Sequence, residues 1–188
     1  MRKTFFFSLL LVTCMQAAAQ TDFGFAGGAT FAKTSGSGSG NHVGFYAGGL
    51  ADFKFGNAGS FRPQLNFIMK GESASSGKGV YNYLELPLNV VYNIPTSIGR
   101  FFVGGGPVIS YMISGSWTAE GGSKEKIYFA YDHVNQFDYG VNVQGGLKIE
   151  GGFFFTVNYT LGLANVWQAG SIGPNKNRAI GIGIGIML

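Results

Sequence analysis

Gln136-Phe137-Asp138-Tyr139-Gly140-Val141-Asn142-Val143-Gln144-Gly145-Gly146-Leu147-Lys148-Ile149-Glu150 alternates from end to end without a slip. Phe137, Tyr139, Val141, Val143, Leu147 and Ile149 fall on one face, and Gln136, Asp138, Asn142, Gln144, Lys148 and Glu150 on the other. Successive side chains of an extended chain point to opposite sides, so a period of two marks a strand whose faces meet different surroundings. The pattern resumes after Gly151-Gly152, with Phe153, Phe155, Val157, Tyr159, Leu161 and Leu163 opposite Thr156, Asn158 and Thr160. Two such runs about a tight glycine connection read as a hairpin.

Working outward, the same alternation recurs across the chain. In the final stretch Ile180, Ile182, Ile184, Ile186 and Leu188 oppose Gly181, Gly183 and Gly185. Phe23, Phe25, Ala29 and Phe31 oppose Asp22, Gly24, Gly28 and Thr30; Val43, Phe45, Ala47, Ala51, Phe53 and Phe55 oppose Tyr46, Asp52 and Lys54. Phe61, Leu65, Phe67 and Met69 oppose Arg62, Gln64, Asn66 and Lys70; Leu84, Leu86, Leu88, Val90 and Tyr92 oppose Tyr83, Glu85 and Asn89. Around Arg100 to Ile113, Phe101, Val103, Ile109, Tyr111 and Ile113 oppose Gly104, Gly106, Ser110 and Met112. Eight runs of this length suit a membrane crossing by tilted strands, which needs about 9 to 11 residues each. Pro87 and Pro107 stand within these runs and, lacking an N–H donor, each should mark a bulge or local break.

The apolar face decides the environment. The chain is 46% hydrophobic and only 12% charged, too few charges for an ordinary water-facing surface. In a β-sandwich or soluble barrel the bulky residues point inward. Here they are too many for the interior of an eight-stranded barrel, whereas glycine, serine, asparagine and paired charges fit. The expected fold is therefore all-β, an eight-stranded antiparallel closed transmembrane β-barrel over residues 20–188, lipid outside and polar groups inside. No mature segment reaches 18 consecutive apolar residues, which excludes a helical span. The inward charges Asp52, Lys54, Arg62, Lys70, Glu85, Asp138, Lys148 and Glu150 have both signs and are expected to pair as a plug. Inward glycines at 104, 106, 181, 183 and 185 leave room for a local cavity. Tyr92, Phe101, Phe137 and Phe153 near strand ends read either as interfacial girdles or as a ring of core aromatics.

Residues 1–19 read as a signal peptide: Arg2 and Lys3, an apolar Phe5 to Val12, then Ala17-Ala18-Ala19 before Gln20. Leu11-Val12-Thr13-Cys14 is a weaker lipoprotein alternative. Removing the leader removes Cys14, the one cysteine, and with it thiol chemistry and disulfides. It also lowers the basic count from 13 to 11 against 9 acidic residues, or +2, with no dense basic patch that would bind nucleic acid. Connections expected at 33–42, 71–78, 114–135 and 164–178 are longer than those at 56–60, 93–99 and 150–152, the pattern of external loops and periplasmic turns, with both termini in the periplasm.

Tyr83-Leu84-Glu85-Leu86-Pro87-Leu88, the glycine-rich Phe102 to Ser110 with Gly106-Pro107, Tyr159-Thr160-Leu161-Gly162-Leu163 and the closing strand after Lys176-Asn177-Arg178 resemble the PorT-like outer-membrane β-barrel proteins typical of Bacteroidetes. The resemblance spans essentially the whole mature chain. It implies an outer-membrane location and a possible accessory role in secretion, and supplies no catalytic residues. Unlike many outer-membrane barrels, the chain ends in Met187-Leu188 rather than an aromatic residue.

No enzyme or cofactor site emerges. His42 and His133 fall in or beside expected external loops, without an apposed nucleophile. Glu120, Glu125 and Asp132 are interrupted by Lys124 and Lys126 and lack calcium-loop spacing. Two functional classes remain. One is a structural or interaction barrel whose loops, especially Trp117, Tyr128, Phe129 and Tyr131, contact envelope partners or surface ligands. The other is small-solute transport or an accessory role in secretion. Expected partners are outer-membrane lipid or lipopolysaccharide, the barrel-assembly machinery during biogenesis, and an envelope protein.

Overall fold

A computed structural model of the protein describes residues 21–35, 40–74, 77–128, 134–167 and 175–188. Its strands are β1 (Thr21–Thr34), β2 (Gly40–Phe55), β3 (Gly59–Ala74), β4 (Gly77–Thr96), β5 (Gly99–Ala119), β6 (Lys124–Lys126), β7 (Phe137–Lys148), β8 (Phe153–Asn165) and β9 (Lys176–Met187). Every pairing is antiparallel, and β9 returns to β1 with Gly24 opposite Met187 and Thr34 opposite Asn177. Eight strands thus close a ring, in which β5 pairs with β4 and β7. The short β6 is a flap on the outer end of β5, with Glu125 opposite Trp117.

The period of two is realised as two faces. Ile184 on the outer face of β9 is 64% exposed, while Asn142 on the inner face of β7 is 3% exposed. Tyr92, Phe101, Phe137 and Phe153 point outward near strand ends, the girdle rather than the core reading. Closure satisfies the ladders in a solvent that offers no hydrogen bonds. Three of the four strand prolines interrupt them only locally, and Pro95 stands paired opposite Arg100. Pairing lapses between Pro63 and β2, Pro87 and β3, and Pro107 and β4, and resumes each time in the same register. The bulge in β5 lies elsewhere, where Asn82 opposite Ser114 is followed by Tyr83 opposite Met112.

Much of one expected loop and the start of another are strand instead. Residues 71–74 and 77–78 of the expected connection belong to β3 and β4, paired out to Ala74 opposite Gly77, and Ser114 to Ala119 of the 114–135 loop continue β5 against Gly77 to Asn82 of β4. Glycines and serines there look like loop residues in isolation, yet three adjacent strands satisfy one another's backbone. The wall is consequently taller on this side: β7 begins opposite Tyr111, and β5 runs on to Ala119. The turns after β2, β4 and β7 lie at the end that holds both described termini, where Leu188 N–H donates to the Phe23 carbonyl at 2.7 Å. Short turns of such barrels face the periplasm, which makes this the end expected there. The expected signal peptide lies outside the described residues.

The interior is layered rather than uniformly polar. Leu50, Val91, Phe102, Phe154 and Met187 pack together toward the periplasm. Tyr46, Ile68, Tyr81, Tyr83, Met112, Ile127, Val134 and Val166 pack toward the outside. The cavity expected beside the inward glycines is taken up by neighbours: the Tyr46 hydroxyl lies against Gly183, the Phe154 ring against Gly185, and Val91 Cγ2 would be 2.9 Å from a Cβ on Gly104.

Candidate functional site

Between the two apolar clusters, strands β2, β3, β4, β5, β7, β8 and β9 aim polar side chains at the barrel axis. Arg62 holds Asp52 by two hydrogen bonds, Nε to Oδ1 at 3.1 Å and Nη2 to Oδ2 at 3.0 Å, and both are buried. Lys70 pairs with Glu85, whose carboxylate also accepts from Ser110 Oγ at 3.0 Å and Thr160 Oγ1 at 3.3 Å. Lys70 Nζ lies 5.1 Å from the Tyr83 ring centroid, adding a cation–π contact to the pair. Asn89 donates to Asn142, which donates to Thr160, so the network crosses from β4 through β7 to β8.

The inward charges do not form a single constellation. Asp138 pairs with no cation among the described residues; it accepts from Asn177 Nδ2 at 3.1 Å and from the Ala164 N–H at 3.3 Å. Lys54 and Lys148 sit at the periplasmic mouth, where both reach Asp22, at 2.8 and 3.5 Å. Glu150 is exposed in the β7–β8 turn, because β7 ends at Lys148 and carries no side chain inward beyond it. His42 belongs to β2 rather than a loop and is buried, while His133, Phe129, Tyr131 and Asp132 lie outside the described residues. Residues outside the expected set of inward charges complete the interior: Asp22, Glu72 accepting from Tyr81 OH, and Asn177 donating to Tyr83 OH. Alternation already places Asp22 on the polar face, but only distance shows which of them meet.

At the external end the flap creates a second feature. Ile127 N–H donates to the Gly115 carbonyl at 3.0 Å, which carries the Ile127 side chain into the external apolar cluster. Val134 pairs with Trp167, and Asn135 N–H donates to the Val166 carbonyl, so the segments beside β7 and β8 close over the lumen. Above this floor is a cavity of about 660 Å³ lined by Trp117, Glu125, Lys126, Ile127, Tyr128 and Trp167. Its size is within the roughly 300–1,000 Å³ of small-ligand sites. Trp117 and Tyr128 were expected among loop contacts; Trp167 was not, since nothing in its sequence surroundings places it across from Trp117.

Residues 16–168 match the family model described as the outer membrane protein beta-barrel domain. The chain belongs to that family. Its strands cross the bacterial outer membrane, in keeping with the apolar exterior and the closed ring. Among solved structures it is similar to Ail, the attachment invasion locus protein of Yersinia pestis, with 12% identity over 90% of this chain and 99% of that one at a TM-score of 0.50. It is also similar to Neisserial surface protein A, with 17% identity over 87% and 96% of the two chains at a TM-score of 0.52. At such identities the likeness is one of fold. No curated protein sequence matches the chain significantly.

Proposed function

We propose that this family member is an interaction barrel, exported by a Met1–Ala19 leader, that presents its external end to surface ligands or an envelope partner while its lumen stays closed to solutes. The observation that carries this reading is the position of Trp117 and Trp167, the chain's two tryptophans, in one external cavity above a lumen occupied by two apolar clusters and a hydrogen-bonded layer. Aromatic side chains of this kind supply large contact area at small entropic cost. Lipid or lipopolysaccharide around the wall and the assembly machinery during biogenesis are the partners such a barrel requires. Membership in the PorT-like branch is supported by Tyr83-Leu84-Glu85-Leu86-Pro87-Leu88, in which Tyr83 and Glu85 serve the inner network and Leu84 and Leu86 face out.

The alternative, small-solute passage or an accessory role in secretion, draws on Thr30 Oγ1 and both His42 ring nitrogens, buried on the inner wall with no hydrogen-bond partner among the described residues. Planar-bilayer recording separates the two readings. The interaction barrel should show no steady conductance; reproducible channels would overturn the closed lumen. Replacing residues 120–133 by a short turn should abolish partner capture from envelope extracts, and unchanged capture would remove this end as the binding surface.

A further inference from the structure

The external cavity has a composition that selects among ligand classes. Trp117 and Glu125 are directly opposed across β5 and β6, so their side chains share a face, and Trp117 lies over the bare backbone of Gly79, whose missing Cβ would be 3.2 Å from the ring. The backbone of Trp167 is fixed, its main-chain N–H donating to Asn175 Oδ1 at 2.8 Å and its chain bridged to Val134. Ile127 is buried as the floor, and Tyr128 is exposed at the rim. The two charged lining residues, Glu125 and Lys126, have opposite sign and leave the site with no net charge.

A purely hydrocarbon ligand would bury the polar ends of Glu125 and Lys126 against nothing that can hydrogen-bond, which is costly. A strongly charged ligand would gain from one of them and be repelled by the other. What fits both the broad indole faces and the mixed polar rim is a neutral molecule with flat C–H faces and hydroxyl edges. From this we infer that the cavity is a saccharide-binding site: sugar rings stack on Trp117 and Trp167 and their hydroxyls donate to the Glu125 carboxylate, while Lys126, opposite Ser116 and so turned to the other face of β6, borders the site at its rim. The inference rests on the external-end reading above and gives it a ligand class.

Because the chain's only tryptophans, Trp117 and Trp167, both line the cavity, intrinsic tryptophan fluorescence reports on it alone. The full mature protein, in a detergent without a sugar headgroup, is titrated with maltose, lactose and the lipid-free polysaccharide released from lipopolysaccharide, and in parallel with choline chloride and octanol. A saturable shift with at least one saccharide is expected; response to the released polysaccharide identifies the cell's own surface sugar as the source, and response to the disaccharides alone identifies free or foreign sugar. Calorimetry should show Trp117→Ala and Trp167→Ala weakening that saccharide about tenfold or more, with the Phe replacements retaining most affinity. Glu125→Gln, at an exposed position, should weaken it about fivefold. Response to choline chloride or octanol without saccharide overturns the inference, as does no response to any probe. Either failure leaves the interaction reading to be decided separately by capture with the 120–133 replacement.

Discussion

Arg62 and Asp52 form a forked ion pair inside the barrel, two hydrogen bonds of 3.1 and 3.0 Å, and the same guanidinium lies 4.7 Å from the Phe102 ring centroid. The guanidinium thus packs on Phe102 of the apolar cluster, and both residues line one small pocket with Lys54 and Lys148 of the mouth. Asp52→Ala should destabilise the barrel by about 3–5 kcal/mol, because Arg62 would be left buried and unpaired. Replacing both residues by well-packed apolar side chains should cost far less than Asp52→Ala alone. Urea unfolding from lipid vesicles measures both, and equal losses would show that the pair acts through its own attraction rather than through mutual neutralisation.

Glu85 and Asp22 provide a contrast in exposure. Glu85 is buried and receives Lys70, Ser110 and Thr160, whereas Asp22 shares partly exposed Lys54 and Lys148 at the mouth. Glu85→Ala should lower stability by about 3–5 kcal/mol and Ser110→Ala by about 1. Asp22→Asn should cost at most about 1 kcal/mol, a loss that shrinks further in high salt. Unfolding midpoints at two salt concentrations check the ranking; a larger loss at Asp22 than at Glu85 would refute it.

Arginine at Val141, Val157 or Ile184 should oppose insertion by roughly 2–4 kcal/mol if placed near the bilayer midplane, while Phe153→Arg at the rim should cost about 0–1. All four side chains face outward and are at least 45% exposed. Folding yield into vesicles, read by the mobility shift between unheated and boiled samples, reports the depth dependence. Equal tolerance at all four positions would contradict a lipid-facing wall.

Gly185 lies beneath the Phe154 ring, so Gly185→Ala should destabilise the barrel by about 1–3 kcal/mol through overpacking. Phe154→Leu should recover part of that loss. Recovery remains incomplete because the Phe25 carbonyl is also close to the added methyl, 2.5 Å from where it would stand. A double-mutant cycle on the four proteins measures the coupling, and strict additivity would mean the ring does not occupy the space the glycine leaves.

The sequence by itself determined the strands and their facing. Alternation at Gln136 to Lys148 or Ala179 to Met187 is a local property, since a strand's side chains must alternate, and abundant bulky residues on one side leave closure in lipid as the consistent arrangement. Tertiary structure decided what alternation cannot encode, namely which strands neighbour one another at which height. Only register brings Asp52 to Arg62 and Lys70 to Glu85, leaves Asp138 to Asn177, and puts Glu150 beyond the end of β7. Only the pairing of β5 with β7 and of β7 with β8 brings Trp167, just beyond the end of β8, into the same cavity as Trp117 on β5. Pairing of three neighbouring strands likewise turned the glycine- and serine-rich stretches at residues 71–74, 77–78 and 114–119 into wall, because backbone hydrogen bonds there come from the neighbours and not from the residues' own propensities.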